Sequence, residues 1–164
     1  MIKDINNMNE KHYTPIKYMD IMWNMLKENN IEATEWLENS AGSGNMIDFL
    51  KTKSDRNIIA YDIKNETYRE DIKECNYLKE KLDYKQGRVA FINPPFTKGL
   101  KFVYKSLKEC DYCVALLSVN SILNFDYDNY EAVGIIYYKK NAMFGATKVD
   151  ICFMLLKNKE IYEL

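Results

Sequence analysis

Proline, glycine and histidine are scarce in this 164-residue chain, which has three, six and one of them. A flexible or proline-rich linker is therefore excluded, and the few that are present mark places where the backbone needs them. An excess of either charge is missing too. Lys and Arg number 23 against 24 Asp and Glu, for a net charge of −1. That excludes a basic coat over the whole protein but leaves room for a local basic face. No apolar run approaches the roughly 20 residues of a membrane span. The opening Met1-Ile2-Lys3-Asp4-Ile5-Asn6-Asn7 holds no apolar core of a secretory signal, so a cytoplasmic protein with reduced thiols is expected.

The chain also has few metal-ligand candidates. Its four cysteines are Cys75, Cys110, Cys113 and Cys152, and Cys110 and Cys113 form one C-x-x-C. A structural zinc site needs about four ligands, and the single histidine, His12, is far away in sequence. No metal is expected, and the cysteines read as small packing residues in or beside strands. Hydrophobic residues at 47% and charged residues at 29% describe a globular chain, and the length suits one domain over residues 1–164.

Strands and helices alternate along the chain. Thr14-Pro15 opens a helix that fades near Glu28, with apolar residues at Ile16, Met19, Trp23 and Leu26. A strand over residues 34–38 runs into Asn39-Ser40-Ala41-Gly42-Ser43-Gly44 and a helix over 45–51. A second strand over 57–61 ends at Asp62, and residues 65–74 read as helical. Strand 88–92 ends at Asn93-Pro94-Pro95-Phe96, followed by helix 100–108 and strand 112–118. The last strands, 132–138 and 149–156, have about ten residues between them, too few for a helical crossover. A mostly parallel α/β sheet with helices on both faces and an antiparallel last strand follows.

Ligands of such sheets bind beyond the carboxyl ends of the strands, and three strand ends carry unusual residues. Gly42 and Gly44 allow a sharp turn and a close approach to a ligand. No third glycine completes G-x-G-x-x-G and no Lys-Ser/Thr follows, so neither a dinucleotide fingerprint nor a phosphate-binding P-loop is present. Glu38, just before the loop, suits a cationic or amine-bearing ligand rather than a pyrophosphate. Asp62, 18 residues past Gly44, suits ribose hydroxyls. Two of the three prolines fall in Asn93-Pro94-Pro95-Phe96. They remove two backbone donors and hold the Asn93 side chain and a neighbouring carbonyl as paired acceptors for an exocyclic amine. Phe96 offers a ring to a planar base.

These motifs resemble those of class I S-adenosylmethionine-dependent methyltransferases of the amino-methylating type. Asn93-Pro94-Pro95-Phe96 resembles their D/N/S-P-P-Y/F/W catalytic motif. Glu38 to Gly44, with Ser40 and Ala41, resembles the cofactor loop E-P-S-A-G-x-G, departing from it at Asn39. Tyr13-Thr14-Pro15 resembles the T-P element that meets the methionine part, and Asp62 with Ile63 the acid that holds the ribose. Asn76-Tyr77-Leu78 resembles the D-F/W-L stretch beside the adenine, with Asn76 where an acid is usual. The resemblance implies a Rossmann-like seven-stranded sheet, S-adenosylmethionine as cofactor, and no metal. Phe96 implies adenine N6 as the target, drawn toward tetrahedral geometry by Asn93 and the Pro94 carbonyl.

DNA is the first substrate this implies, with a duplex adenine flipped out of its stack. Structured RNA, a protein glutamine amide, or a silent subunit of a heteromeric enzyme are the alternatives. Lys98, Lys101, Lys105 and Lys108 are spaced for one helical face beside the motif, where they could meet phosphates. Lys139 and Lys140 are a weaker second patch. No target-recognition domain is legible, so a partner subunit could supply recognition. Residues 120–130 sit where a target-side loop often lies, but their acids favour packing against the sheet.

Overall fold

The computed structural model describes residues 14–144 and 147–159, with side chains over 14–138 and 150–159. Helix α1 spans Ile16–Glu28, followed by β1 (Glu35–Glu38), α2 (Asn45–Lys53), β2 (Ile58–Asp62) and β3 (Lys73–Glu74). Then come β4 (Arg88–Ile92), α3 (Gly99–Glu109), β5 (Tyr112–Ser118), α4 (Asn120–Asn124), β6 (Tyr130–Phe144) and β7 (Thr147–Asn158). Single 3₁₀ turns cover Tyr77–Lys79 and Phe96–Lys98.

The sheet order is β3-β2-β1-β4-β5-β7-β6. Strands β3, β2, β1, β4 and β5 run parallel, while β7 is antiparallel to both β5 and β6. The order reverses between β1 and β4, which puts their carboxyl ends side by side at the switch point of the sheet.

Alternation along the buried strands sorts the core into two layers. Trp36, Val89, Phe91, Val114, Leu116 and Phe153 face α1 and α2. Leu37, Ala90, Ile92, Ala115, Leu117 and Met154 face α3. Cys110, Cys113 and Cys152 are buried in this second layer, in the packing role expected of them.

Three local expectations are corrected. Residues 65–74 form a turn and a two-residue edge strand, not a helix. Asn65 diverts the backbone: its Nδ2 donates to the carbonyls of Arg69 (2.6 Å) and Ile72 (3.3 Å), and its Oδ1 accepts from the Arg69 N–H. Side-chain bonds of this kind compete with helical ones. In α1 the buried seam is Tyr18, Met19, Met22, Met25 and Leu26, whereas Ile16 is 60% exposed. Pro15 takes the N-cap position, and no side chain caps the helix. The last two strands extend further than their apolar runs, so that Phe144 pairs with Thr147.

Candidate active site

Backbone bonds tie the loop after β1 to the neighbouring strand end. Ala41 N–H donates to the Tyr61 carbonyl at 2.9 Å and Gly42 N–H to Asp62 Oδ2 at 2.8 Å. Asp62 Oδ1 accepts from Lys64 N–H. Gly42 and Gly44 have φ of 54° and 86°, which glycine adopts without strain. A Cβ on Gly44 would lie 2.5 Å from the Arg69 guanidinium, which is itself held by Asp48 and Asp71.

A second set of bonds joins this loop to the strand end at Asn93. Ser40 Oγ donates to the Asn93 carbonyl at 3.1 Å, and Asn93 Nδ2 donates to Thr14 Oγ1 at 2.9 Å. Asn45 Nδ2 donates to the Thr14 carbonyl at 2.7 Å. Thr14 thus serves as an anchor for Asn93 rather than as a helix cap. The Asn93 amide orientation leaves its Oδ1 as an acceptor.

A cavity of about 440 Å³ opens between these loops. Of the residues expected to form the site, Ser40, Gly42, Asp62, Ile63, Asn76 and Tyr77 line it. So do Asn93, Pro94, Pro95 and Lys98. Asn39, Leu78 and Phe102 complete the wall. Glu38, Ala41 and Gly44 support the loop from outside the wall: Glu38 is fully buried, and Ala41 packs with Ile47, Ala60 and Ile72. Thr14 and Pro15 flank α1, and Tyr13 lies outside the described residues. Phe96 is half-buried against the core layer of α1 and α2, not among the cavity lining.

Burial dominates the electrostatics here. Glu38 Oε1 accepts from Ser40 N–H at 3.0 Å, but Oε2 is buried without a hydrogen-bond partner. Burial, with the nearby Asp62 charge adding to it, pushes the Glu38 carboxyl up to about 8. Asn39 Oδ1, on the adjacent residue, is also buried without a partner.

The four lysines after the motif divide between two places. Lys98 is exposed at the cavity. Lys101, Lys105 and Lys108 line a separate groove of about 570 Å³ between α3 and residues 78–82, together with Lys81, Glu80 and Glu109. Lys105 is committed inward: its Nζ is 2.6 Å from Glu109 Oε2 and 4.0 Å from the Tyr77 ring centroid. Glu109 lies four residues further along α3 and is the acid that captures it. The side chains of Lys139 and Lys140 lie outside the described ones. In the segment 120–130, Phe125 and Tyr130 stack around Tyr104, so packing is their role.

No family model matches the chain, and no curated protein matches it by sequence. Solved structures do match. A candidate RNA methyltransferase from Pyrococcus horikoshii superposes with a TM-score of 0.68 at 13% identity, covering 90% of this chain and 87% of its own. The 23S rRNA methyltransferase ErmE gives 0.63 at 13% identity, over 89% of this chain and 69% of its own. A ribosomal protein L11 methylase from Lactobacillus delbrueckii gives 0.65 at 8% identity, over 90% and 81%. The fold is that of the class I methyltransferases. Within this fold the motif residues meet at the switch point of the sheet. Among the described residues, no helix is long and apolar enough to cross a membrane, and no group of acidic, His or Cys side chains could hold a metal.

Sequence reasoning missed Asn39, Asn45 and Phe102 as site residues. Asn45 carried a signal, as a polar side chain directly after Gly44. Asn39 was legible only as a departure from the cofactor-loop pattern.

Proposed function

We propose that this protein is an S-adenosylmethionine-dependent methyltransferase that methylates the exocyclic N6 amine of adenine in structured RNA. The observation that carries the reading is that Asn93-Pro94 and the Gly42 loop face one cavity, bridged by the Ser40–Asn93 bond. The donor set fits the cofactor. Asp62 suits ribose hydroxyls, and Tyr77, Leu78 and Phe102 give an apolar wall for a purine. Bound there, the cofactor supplies an electrophilic methyl group on a sulfonium centre.

The chain's own residues do the rest. Thr14 fixes the Asn93 amide so that Oδ1 accepts one hydrogen of the target amine. Pro94 lies at the same cavity, and its carbonyl is the acceptor for the second. Two acceptors at the amine pull its lone pair out of conjugation with the ring and hold it in line for attack. Such catalysis is positioning plus electrostatics. Exposed Lys98 stands at the same cavity, where a phosphate of the target strand would meet it.

The motif alone puts DNA first. RNA takes that place because the solved structures that share the fold include a 23S rRNA methyltransferase and a candidate RNA methyltransferase. The test is transfer of a tritiated methyl group into separate pools of rRNA, tRNA, DNA and protein. Label enters RNA as N6-methyladenine, and Asn93→Ala lowers its rate about a hundredfold or more with S-adenosylhomocysteine affinity changed little. Label confined to DNA or protein contradicts the RNA substrate, and Asn93→Ala at full rate contradicts the site.

A further inference from the structure

We propose that Asn39 is a ligand-binding residue of the cavity, its side-chain carbonyl accepting a hydrogen bond from a donor on the adenosine half of the cofactor. This rests on reading the cavity as an S-adenosylmethionine site.

The hydrogen-bond network sets the orientation of the Asn39 amide. Ser106, on α3, donates its hydroxyl proton to the Phe102 carbonyl at 2.7 Å. Its Oγ must therefore accept from Asn39 Nδ2, at 2.7 Å. Tyr77 OH, 3.5 Å from the same Oγ, donates to Glu109 instead. With Nδ2 fixed on Ser106, Oδ1 is turned the other way and has no partner. Asn39 is only 1% exposed, yet it lines the cavity.

A buried acceptor without a donor is costly, so an amide held in this orientation calls for a donor that arrives with the ligand. The cofactor-loop pattern that this segment resembles has proline here, which has no side-chain acceptor, so the feature belongs to this chain. The adjacent wall indicates which part of the ligand supplies the donor. Asn39 shares its side of the cavity with Tyr77 and Phe102, the apolar surface suited to a purine ring. The Asn76 side-chain oxygen at that end is engaged by Leu78 N–H. The donors that adenosine offers are its exocyclic amine and its two ribose hydroxyls.

The test is calorimetric binding of S-adenosylhomocysteine and of three analogues, lacking the 6-amino group, the 2′-hydroxyl or the 3′-hydroxyl. Asn39→Ala is expected to weaken S-adenosylhomocysteine about tenfold. Against one of the three analogues the wild type and the variant should bind alike, which identifies the donor. Ser106→Ala, which frees the amide to rotate, should lose affinity in the same direction by a smaller factor. Asn39→Ser carries the same comparison if Asn39→Ala does not fold. Equal affinity of wild type and Asn39→Ala for S-adenosylhomocysteine overturns the proposal, as does a penalty that persists with all three analogues. Failure of the wild type to bind S-adenosylhomocysteine at all overturns the cofactor reading itself.

Discussion

Glu35 and Glu38 stand at opposite ends of the four-residue strand β1, both buried, and their surroundings could hardly differ more. Glu35, at the amino end of the sheet, receives Arg88 Nε at 2.8 Å, Asn57 Nδ2 at 3.1 Å and Lys85 Nζ at 3.2 Å. The Arg88 guanidinium also satisfies the carbonyls of Asp83 and Glu109. Burial alone would raise the Glu35 carboxyl, but these bonds outweigh it and hold it below its ordinary value. Glu38, at the carboxyl end, has one backbone donor, an unpartnered oxygen and a carboxyl raised to about 8 by burial. The amino end of the sheet is closed in on itself. The carboxyl end keeps polar groups unsatisfied, as sites for ligands do.

The comparison can be broken at either carboxylate. The largest effect is expected from Arg88→Met, which strips the buried Glu35 of its main partner and should cost about 3–5 kcal/mol in urea unfolding at pH 7. A much smaller loss would mean that the amino end is not held by this pair.

Next is the pH dependence of stability. The Glu38 carboxyl keeps its proton in the folded chain up to about pH 8, whereas its unfolded value is near 4.5. Across that window the native state holds a proton that the unfolded state releases, so stability falls as pH rises. The slope from this one group is about 1.4 kcal/mol per pH unit. Glu38→Gln should flatten the slope and gain on the wild type toward pH 8. Glu35, with its lowered carboxyl, works the other way, and its contribution is lost as pH falls into the acid range. If the two Gln variants showed the same pH profile, the contrast would not stand.

The smallest effects are expected on α3. Lys101→Ala and Lys108→Ala should each weaken RNA binding modestly and lower its salt slope by about one. Lys105→Ala should leave that slope unchanged, because Lys105 is held by Glu109 and Tyr77. Equal slopes for all three variants would restore the single basic face.

Much of this was legible before the structure. Strands β4 and β5 fall where their uninterrupted apolar runs end, because a central parallel strand is buried on both faces. The motif residues converge because each lies at the end of a neighbouring strand, and strand order then does the assembling. What was not legible depends on tertiary partners. The segment 65–74 has helical composition, but Asn65 captures its backbone. Lys105 fits the spacing of a basic face until a buried Glu109 and the ring of Tyr77 claim it. Asn39 and Ser106 are 67 residues apart and meet only because α3 packs across the end of β1. No window of sequence contains that contact.

The central claim is that the cavity at the carboxyl end of the sheet is the cofactor site. It is tested most directly by titrating S-adenosylmethionine into the wild type and into Asp62→Ala at pH 7. The account expects saturable binding by the wild type, weakened about tenfold or more in Asp62→Ala. Absence of binding, or equal affinity in the two proteins, would contradict it.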